Sequence, residues 1–387
     1  MTGVELPPLG LYLHLPWCTR KCPYCDFNSH AAGDTPPYDD YLQALLRDLE
    51  LELARADGRL IDTVFIGGGT PSLFPVAAIE SVLTALLPRL QSGAEITMEA
   101  NPGSAEAERF RGYREAGVNR LSLGVQSFDN ALLQRLGRVH DRSQALDAVD
   151  AAREAGFSAI NLDLMYGLPE QSLDQALADL DQALALGTDH LSHYQLTLEP
   201  NTVFFAKPPA LPDPDTRAEM QLQCQRRLQA VGLAQYEISA YARPGRQCRH
   251  NLNYWRFGDY LAAGAGAHGK LTDSAGNIHR YRKVKVPALY MARMARGTAD
   301  VEPRRLQTDD RILEFMMNAL RLNAGFPVAL FSQRTGLDFE LVRPVLDRLL
   351  EDGLLQTDGA RYRTTRLGRD HLDTILAEFL PDDGNAA

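Results

Sequence analysis

The chain has 387 residues, which at roughly 150 residues per domain suggests two or three folding units. Hydrophobic residues make up 45% and charged residues 23%, ordinary values that exclude disorder or a fibrous repeat as a description of the whole chain. The net charge of −10 is spread along the sequence and argues against nucleic acid as a main partner, no apolar run approaches the roughly 20 residues of a spanning helix, and five cysteines are too few and too odd in number for a disulfide-stapled secreted fold.

Residues 1–10, MTGVELPPLG, contain neither a basic nor an apolar leader region, so the expected compartment is the cytoplasm, with peripheral membrane association left open. Strands are predicted at 11–16, 63–67, 96–100, 120–127, 160–167 and 190–197, with an extra strand at 236–243. Helical patterns lie between them. In the first helix Leu42, Leu45, Leu46, Leu49 and Leu53 share one stripe, with Asp48, Glu50, Glu52 and Arg55 off it. Further helices are predicted at 76–90, 105–116, 143–155 and 173–186, the last three ending at Gly117, Gly156 and Gly187. This alternation fits parallel βα units. A doubly wound sheet shares the pattern, but the unusual residues fall just after the C-terminal ends of strands, where barrel enzymes place their sites.

The expected fold is therefore α/β, a partial (βα)6 TIM-like barrel over residues 1–243. A proline-rich stretch at 200–214 and an irregular joining region at 244–300, rich in Gly and aromatics, follow. From 301 to 387 three helices (309–322, 328–335, 339–351), a hairpin at 354–365 and a last helix to 380 read as a winged-helix-like unit. Residues 301–380 hold 11 Arg and no Lys against 13 acidic residues, so DNA binding is not expected of it.

Cys18, Cys22 and Cys25 form a C-x3-C-x2-C loop at the end of the first strand. Three thiolates so close can each bind one iron of a cubane and leave the fourth iron open to an outside ligand. A zinc site completed by His14 or His30, or a reactive thiol cluster, fits the spacing too. Gly67-Gly68-Gly69-Thr70 follows the second strand; successive glycines let the backbone approach a ligand closely, where a plain turn needs only one. Glu99, Gln126 and Asp163 occupy the ends of three consecutive strands among apolar neighbours. A buried carboxylate needs a partner, and a ligand cation or hydroxyl would serve, as would a structural hydrogen-bond hub.

The stretch LYLHLPWCTRKCPYCDFNSH, together with GGGTPS, LGVQSFDNALLQRLGRVH and NLDLMYGLPEQ, strongly resembles radical S-adenosylmethionine proteins of the oxygen-independent coproporphyrinogen oxidase group, over nearly the whole chain. The resemblance implies a 4Fe-4S cluster on Cys18, Cys22 and Cys25, with S-adenosylmethionine chelating the free iron and cleaved reductively to methionine and an adenosyl radical. It also implies that Tyr12 and Tyr24 flank the cosubstrate, that Gly68, Gly69 and Thr70 hold its methionine end, and that Glu99, Gln126, Arg138 and Asp163 complete its polar contacts. Two features depart from the oxidases. They have Gly-Cys after the third cysteine, where this chain has Asp26-Phe27, and they carry a longer extension before the first strand. In place of these features stands HNxxYW, His250 to Trp255, with GAGAHG at 264–269, which resembles a branch whose members are described as heme chaperones. Heme and heme-acceptor proteins, respiratory-chain proteins among them, are the implied partners, and a radical enzyme of porphyrin biosynthesis is the alternative.

His250 or a neighbour is the expected heme ligand, with Tyr254 and Trp255 lining the cleft and His268 in reserve; a packing anchor is the competing reading of the aromatics. Arg243, Arg246, Arg249 and Arg256, with the run from His279 to Lys283, would supply cations for propionates. Cys224 reads as core, and Cys248 as a candidate thiolate ligand or, as a lone Cys more often is, a passive residue.

Overall fold

The structure, a computed structural model, describes residues 6–103 and 107–381. The start of the chain, the opening of the helix expected at 105–116 and the end of the C-terminal unit at 382–387 lie outside the described residues. Strands β1 (Leu9–Leu15), β2 (Ile61–Gly68), β3 (Leu90–Ala100), β4 (Arg120–Gln126), β5 (Ile160–Tyr166) and β6 (His190–Gln195) lie side by side in chain order, each parallel to its neighbours. Helices return between them on the outside, as in a partial (βα)6 barrel. Alternation along each strand sorts its residues. Leu11, Leu13, Val64, Ile66, Met98, Leu121, Leu123, Leu162 and Leu164 face the helices and share a core with Leu45, Leu49, Ile79, Val82, Val149 and Leu180. Tyr12, His14, Phe65, Glu99, Ser122, Gln126 and Asp163 sit at the alternate positions and line the lumen.

The sheet continues past both edges of this barrel. The single extra strand expected at 236–243 is instead a hairpin, β7 (Ala234–Glu237) and β8 (Ala240–Ala242), with β8 antiparallel to β6. The joining region expected to be irregular carries three strands, β9 (Asp259–Ala263), β10 (His268–Thr272) and β11 (Ile278–Lys283), and two helices, Arg249–Trp255 and Pro287–Met294, and a fourth strand, β12 (Asp300–Arg305), starts at its last residue and runs into the stretch expected to open the C-terminal unit. β9 runs parallel to β1 and the other three follow antiparallel, giving the order β12-β11-β10-β9-β1-β2-β3-β4-β5-β6-β8-β7. HGKLT, IHRYRK and DVEPRR lack the β-branched runs that announce a strand, so pairing rather than propensity makes these strands.

The antiparallel pair β11–β12 supplies partners to the first helix. Asp48 and Glu52 on Tyr38–Arg55, read as off the apolar stripe, are fully buried. Lys283 Nζ reaches Asp48 at 2.6 Å, Glu52 at 2.8 Å and Asp300 at 2.7 Å, and the Tyr290 hydroxyl donates to Asp48. A second clasp joins Lys270 to Asp259 at 3.0 Å.

The C-terminal unit has the expected three helices, Thr308–Ala319, Val328–Thr335 and Arg343–Glu351, and a small sheet of Phe326–Pro327, Arg361–Thr364 and Leu355–Thr357. The single last helix expected is two short ones, Arg366–Asp370 and Leu372–Ala377. Phe315, Phe326, Phe331 and Phe339 form its core, which Phe257 and Ile278 of the main sheet region join. Among the described residues no helix is long and apolar enough to cross a membrane.

Candidate functional site

The three-cysteine loop leaves the C-terminal end of β1 and is closed by a short parallel bridge between Trp17–Cys18 and His30–Ala31. Trp17 roots it in an aromatic cluster with Tyr38, Tyr41 and Phe74. Cys18, Cys22 and Cys25 are free, partly exposed thiols on one wall of a cavity of about 410 Å3 that opens from the lumen. Burial pushes the Cys18 and Cys25 thiols up, so metal uptake here releases protons. Among the described residues no three His, Cys, Asp or Glu side chains converge as a single-ion site requires. His14, one proposed completing ligand, has both ring nitrogens in hydrogen bonds, to the Tyr12 hydroxyl and the Asn28 carbonyl, each at 2.9 Å. Three thiols along one wall are a donor set that suits a cubane with one open iron.

The rest of the cavity is built from the strand ends. Thr70 Oγ1 accepts from Asn101 Nδ2 at 2.8 Å, and Asn101 Oδ1 accepts in turn from Arg138. Arg138 also donates to the Gly124 carbonyl at 2.7 Å and to Cys22 Sγ at 3.7 Å. Gln126 adopts a left-handed backbone (φ 68°), uncommon for a residue with a side chain, and its Oε1 accepts from the Tyr194 hydroxyl at 2.8 Å. A buried carboxylate, Asp179, fixes the bend behind it by accepting from Ser127 Oγ at 2.6 Å and Phe128 N at 2.7 Å.

Glu99 and Asp163 lie deep in this cavity with only neutral donors. Glu99 accepts from Gly68 N at 3.1 Å, and Asp163 from Ser122 Oγ at 3.0 Å and Asn161 Nδ2 at 2.8 Å. Burial, and then the Asp163 charge, push the Glu99 carboxyl up to about 8, and burial raises Asp163 too. Two buried carboxyls, one of them raised further by the charge of the other, form a seat for a ligand cation. The glycines before them serve the loop as much as any ligand: a Cβ on Gly69 would sit 2.6 Å from the Trp17 carbonyl oxygen, so only glycine lets β2 pass so close under the cysteine loop.

A second cavity of about 560 Å3 adjoins the first, and Glu99, Asp26 and Phe27 line both. Its wall is aromatic, with Tyr12, Phe65, Tyr254, Trp255 and Tyr260, and it carries His14, His250, His268, Lys285 and Asn318. Helix Arg249–Trp255 packs against β1 and β2, so that His250 Nδ1 meets Thr63 Oγ1 at 2.9 Å and Nε2 meets the Tyr254 hydroxyl at 3.0 Å. Buried to 1% exposure, the His250 ring is pushed down to about 3 by desolvation and remains neutral. Arg321 of the C-terminal unit stacks 4.4 Å over Trp255. Asn28, three residues past Cys25, donates to the carbonyls of Ala265 and Lys285 at 2.9 Å each and ties the cysteine loop to the rim of this cavity.

Of the residues singled out for the cosubstrate, Tyr24, Gly69, Thr70, Glu99, Gln126, Arg138 and Asp163 line the first cavity with the three cysteines, whereas Tyr12 and Gly68 line the second. His250, Tyr254, Trp255 and His268 come together in the second. The cations expected beside them are mostly engaged elsewhere. Arg243 and Arg246 pair with Asp189, Arg249 donates to the Gly93 carbonyl, Arg280 holds Glu314, Arg282 holds Glu302 and Lys283 lies in its buried acidic nest. Cys224 and Cys248 are fully buried. Asn101, Tyr194, Asn28 and Lys285 were not legible as site residues; Asn101, two past Glu99 in TMEAN, is the one with a signal in the sequence.

Two family models match: the radical SAM superfamily over residues 12–183 and the HemN C-terminal domain over 306–371. The chain is 49% identical over 382 residues to the heme chaperone HemW of Escherichia coli (strain K12), covering 98% of this chain and 100% of that one. It is 34% identical over 381 residues to heme chaperone HemW of Bacillus subtilis (strain 168), covering 95% and 98%. Among solved structures it is similar to coproporphyrinogen III oxidase (HemN) from Escherichia coli, a radical SAM enzyme, with a TM-score of 0.81 and 26% identity over 97% of this chain and 90% of that one.

Proposed function

This chain belongs to the HemW family of radical SAM proteins, and from that membership we propose that it is a heme chaperone, holding a 4Fe-4S cluster and S-adenosylmethionine in the first cavity and heme in the second, for delivery to acceptor proteins. The observation that carries this reading is the division of one lumen into two cavities that share the Glu99 wall, one bearing three thiols and a buried carboxyl pair, the other aromatic and histidine-bearing. Both volumes fall within the range that holds drug-sized and cofactor-sized ligands.

When bound, the cluster with its open iron supplies one-electron reduction and a chelation point for amino and carboxylate groups. Cys18, Cys22 and Cys25 would hold it, and Arg138 would donate to the Cys22 sulfur. Glu99 and Asp163 balance the positive charges of the cosubstrate, which removes the penalty of ionising them in a buried place. Thr70, Asn101 and Gln126 offer fixed polar atoms to its other groups. In the second cavity Phe65, Tyr254 and Trp255 provide flat apolar faces for a macrocycle. Cytoplasmic placement and acceptors in the respiratory chain belong to the same reading.

The likeness to HemN over nearly its full length supports a second reading, a radical enzyme acting on a porphyrinogen. Offering coproporphyrinogen III and heme separately to anaerobic, cluster-loaded protein separates the two. A stable Soret band without decarboxylated product is the result expected; product formation would overturn the chaperone reading in favour of the enzyme.

A further inference from the structure

Three histidines line the second cavity, and they are not equivalent. His14 and His250 each have both ring nitrogens in hydrogen bonds inside the protein, so neither has a lone pair to give a metal without breaking a buried contact. His268 is exposed on the rim at the first position of β10, and among the described residues its ring takes part in no hydrogen bond. Partial desolvation and the nearby charges of Arg282, Lys285 and Arg280 hold it below the ordinary imidazole value, in the neutral, ligating form.

The rim is built to hold this residue in place. The turn before it takes left-handed backbone at Gly264 and Gly266, and a Cβ on Gly264 would fall 2.3 Å from the His14 carbonyl oxygen, one on Gly266 2.3 Å from Asn28 Nδ2. The same Asn28 amide that binds the turn at Ala265 also binds the Lys285 carbonyl, which fixes His268 and Lys285 relative to each other. Arg280 and Arg282 have carboxylate partners, whereas Lys285, on the cavity wall, has no ion pair among the described residues.

We infer that His268, and not the histidine of the HNxxYW stretch, is the axial ligand for an iron porphyrin in the second cavity, with Lys285 as the ammonium partner of one of its carboxylates. This assignment rests on the heme-chaperone reading above. His250 is then a positioning residue: it bridges Thr63 and Tyr254 and holds the aromatic wall against β2.

Hemin titration of the full-length, cluster-loaded protein, followed by the Soret band and EPR, tests the assignment with His268→Gly, His250→Gln and Lys285→Ala. His268→Gly is expected to lose at least tenfold in affinity together with the parent spectrum, and added imidazole should restore the spectrum. His250→Gln, which keeps polar atoms for Thr63 and Tyr254, should keep the parent spectrum; Lys285→Ala should weaken binding severalfold without altering it. An unchanged spectrum in His268→Gly, or its loss in a His250→Gln protein whose melting temperature matches the parent, overturns the assignment and leaves the chaperone reading standing. A parent protein that takes up no hemin overturns both.

Discussion

Glu99 is where the two cavities meet, and its proton reports on both. Below about pH 4.5 its carboxyl is protonated whether the chain is folded or not. Between there and about pH 8 the unfolded chain ionises while the folded site does not, so stability falls as pH rises, by up to about 1.4 kcal/mol per unit. Glu99→Gln removes this slope. Thermal melts without cosubstrate should show the variant gaining on the parent as pH rises to about 8 and holding that gain above it, while S-adenosylmethionine, by favouring the ionised carboxyl, should close the gap; parallel curves would mean that Glu99 is already ionised in the fold. Residues of this kind were legible, because a polar side chain at an alternate position of an otherwise apolar strand has nowhere to point but the lumen. The saturation of His250 was not: Thr63, its partner, lies 187 positions away and has no unusual signature.

At the level of elements, the six parallel strands were legible because each is a short apolar run bounded by helical periodicity. Three of the four strands of 259–305, β10 to β12, were hidden by their polar composition, and the burial of Asp48 and Glu52 was hidden by a partner more than two hundred residues away. Lys283 is 1% exposed and is shared by three carboxylates, so its loss would leave buried Asp48 without a cation and buried Glu52 with Arg55 alone. Lys283→Met should cost about 3–5 kcal/mol in urea unfolding. A loss within the ordinary surface range of about 0.5 kcal/mol would show that water reaches the carboxylates.

The whole molecule joins a barrel that is open on one side to a sheet extension and a helical unit that together complete the second cavity. Phe257 and Ile278 belong to the core of the C-terminal unit, Asn318 of that unit lines the cavity, and Arg321 stacks on Trp255 while pairing with Glu237 at 3.1 Å. The expected three-part division did not foresee that the middle piece is a continuation of the barrel's own sheet. Periodicity describes an element and its nearest face; the partners that make a cavity come from tertiary pairing.

Asn28 gives this assembly a further property. One side chain fastens the loop that bears the three thiols to the turn before His268 and to Lys285. If iron supply shapes that loop, cargo affinity and cluster retention are linked quantities, and linkage between binding equilibria is reciprocal. Occupancy of the second cavity should therefore strengthen the equilibrium hold on the cluster by the same factor by which cluster loading tightens the grip on cargo. Asn28→Ala should bring both ratios toward one while leaving each site able to fill. Chelator titration to equilibrium with and without hemin, in parent and variant, measures this directly, and on the heme-chaperone reading a cell short of iron–sulfur clusters would then hold less heme in transit without any separate sensor.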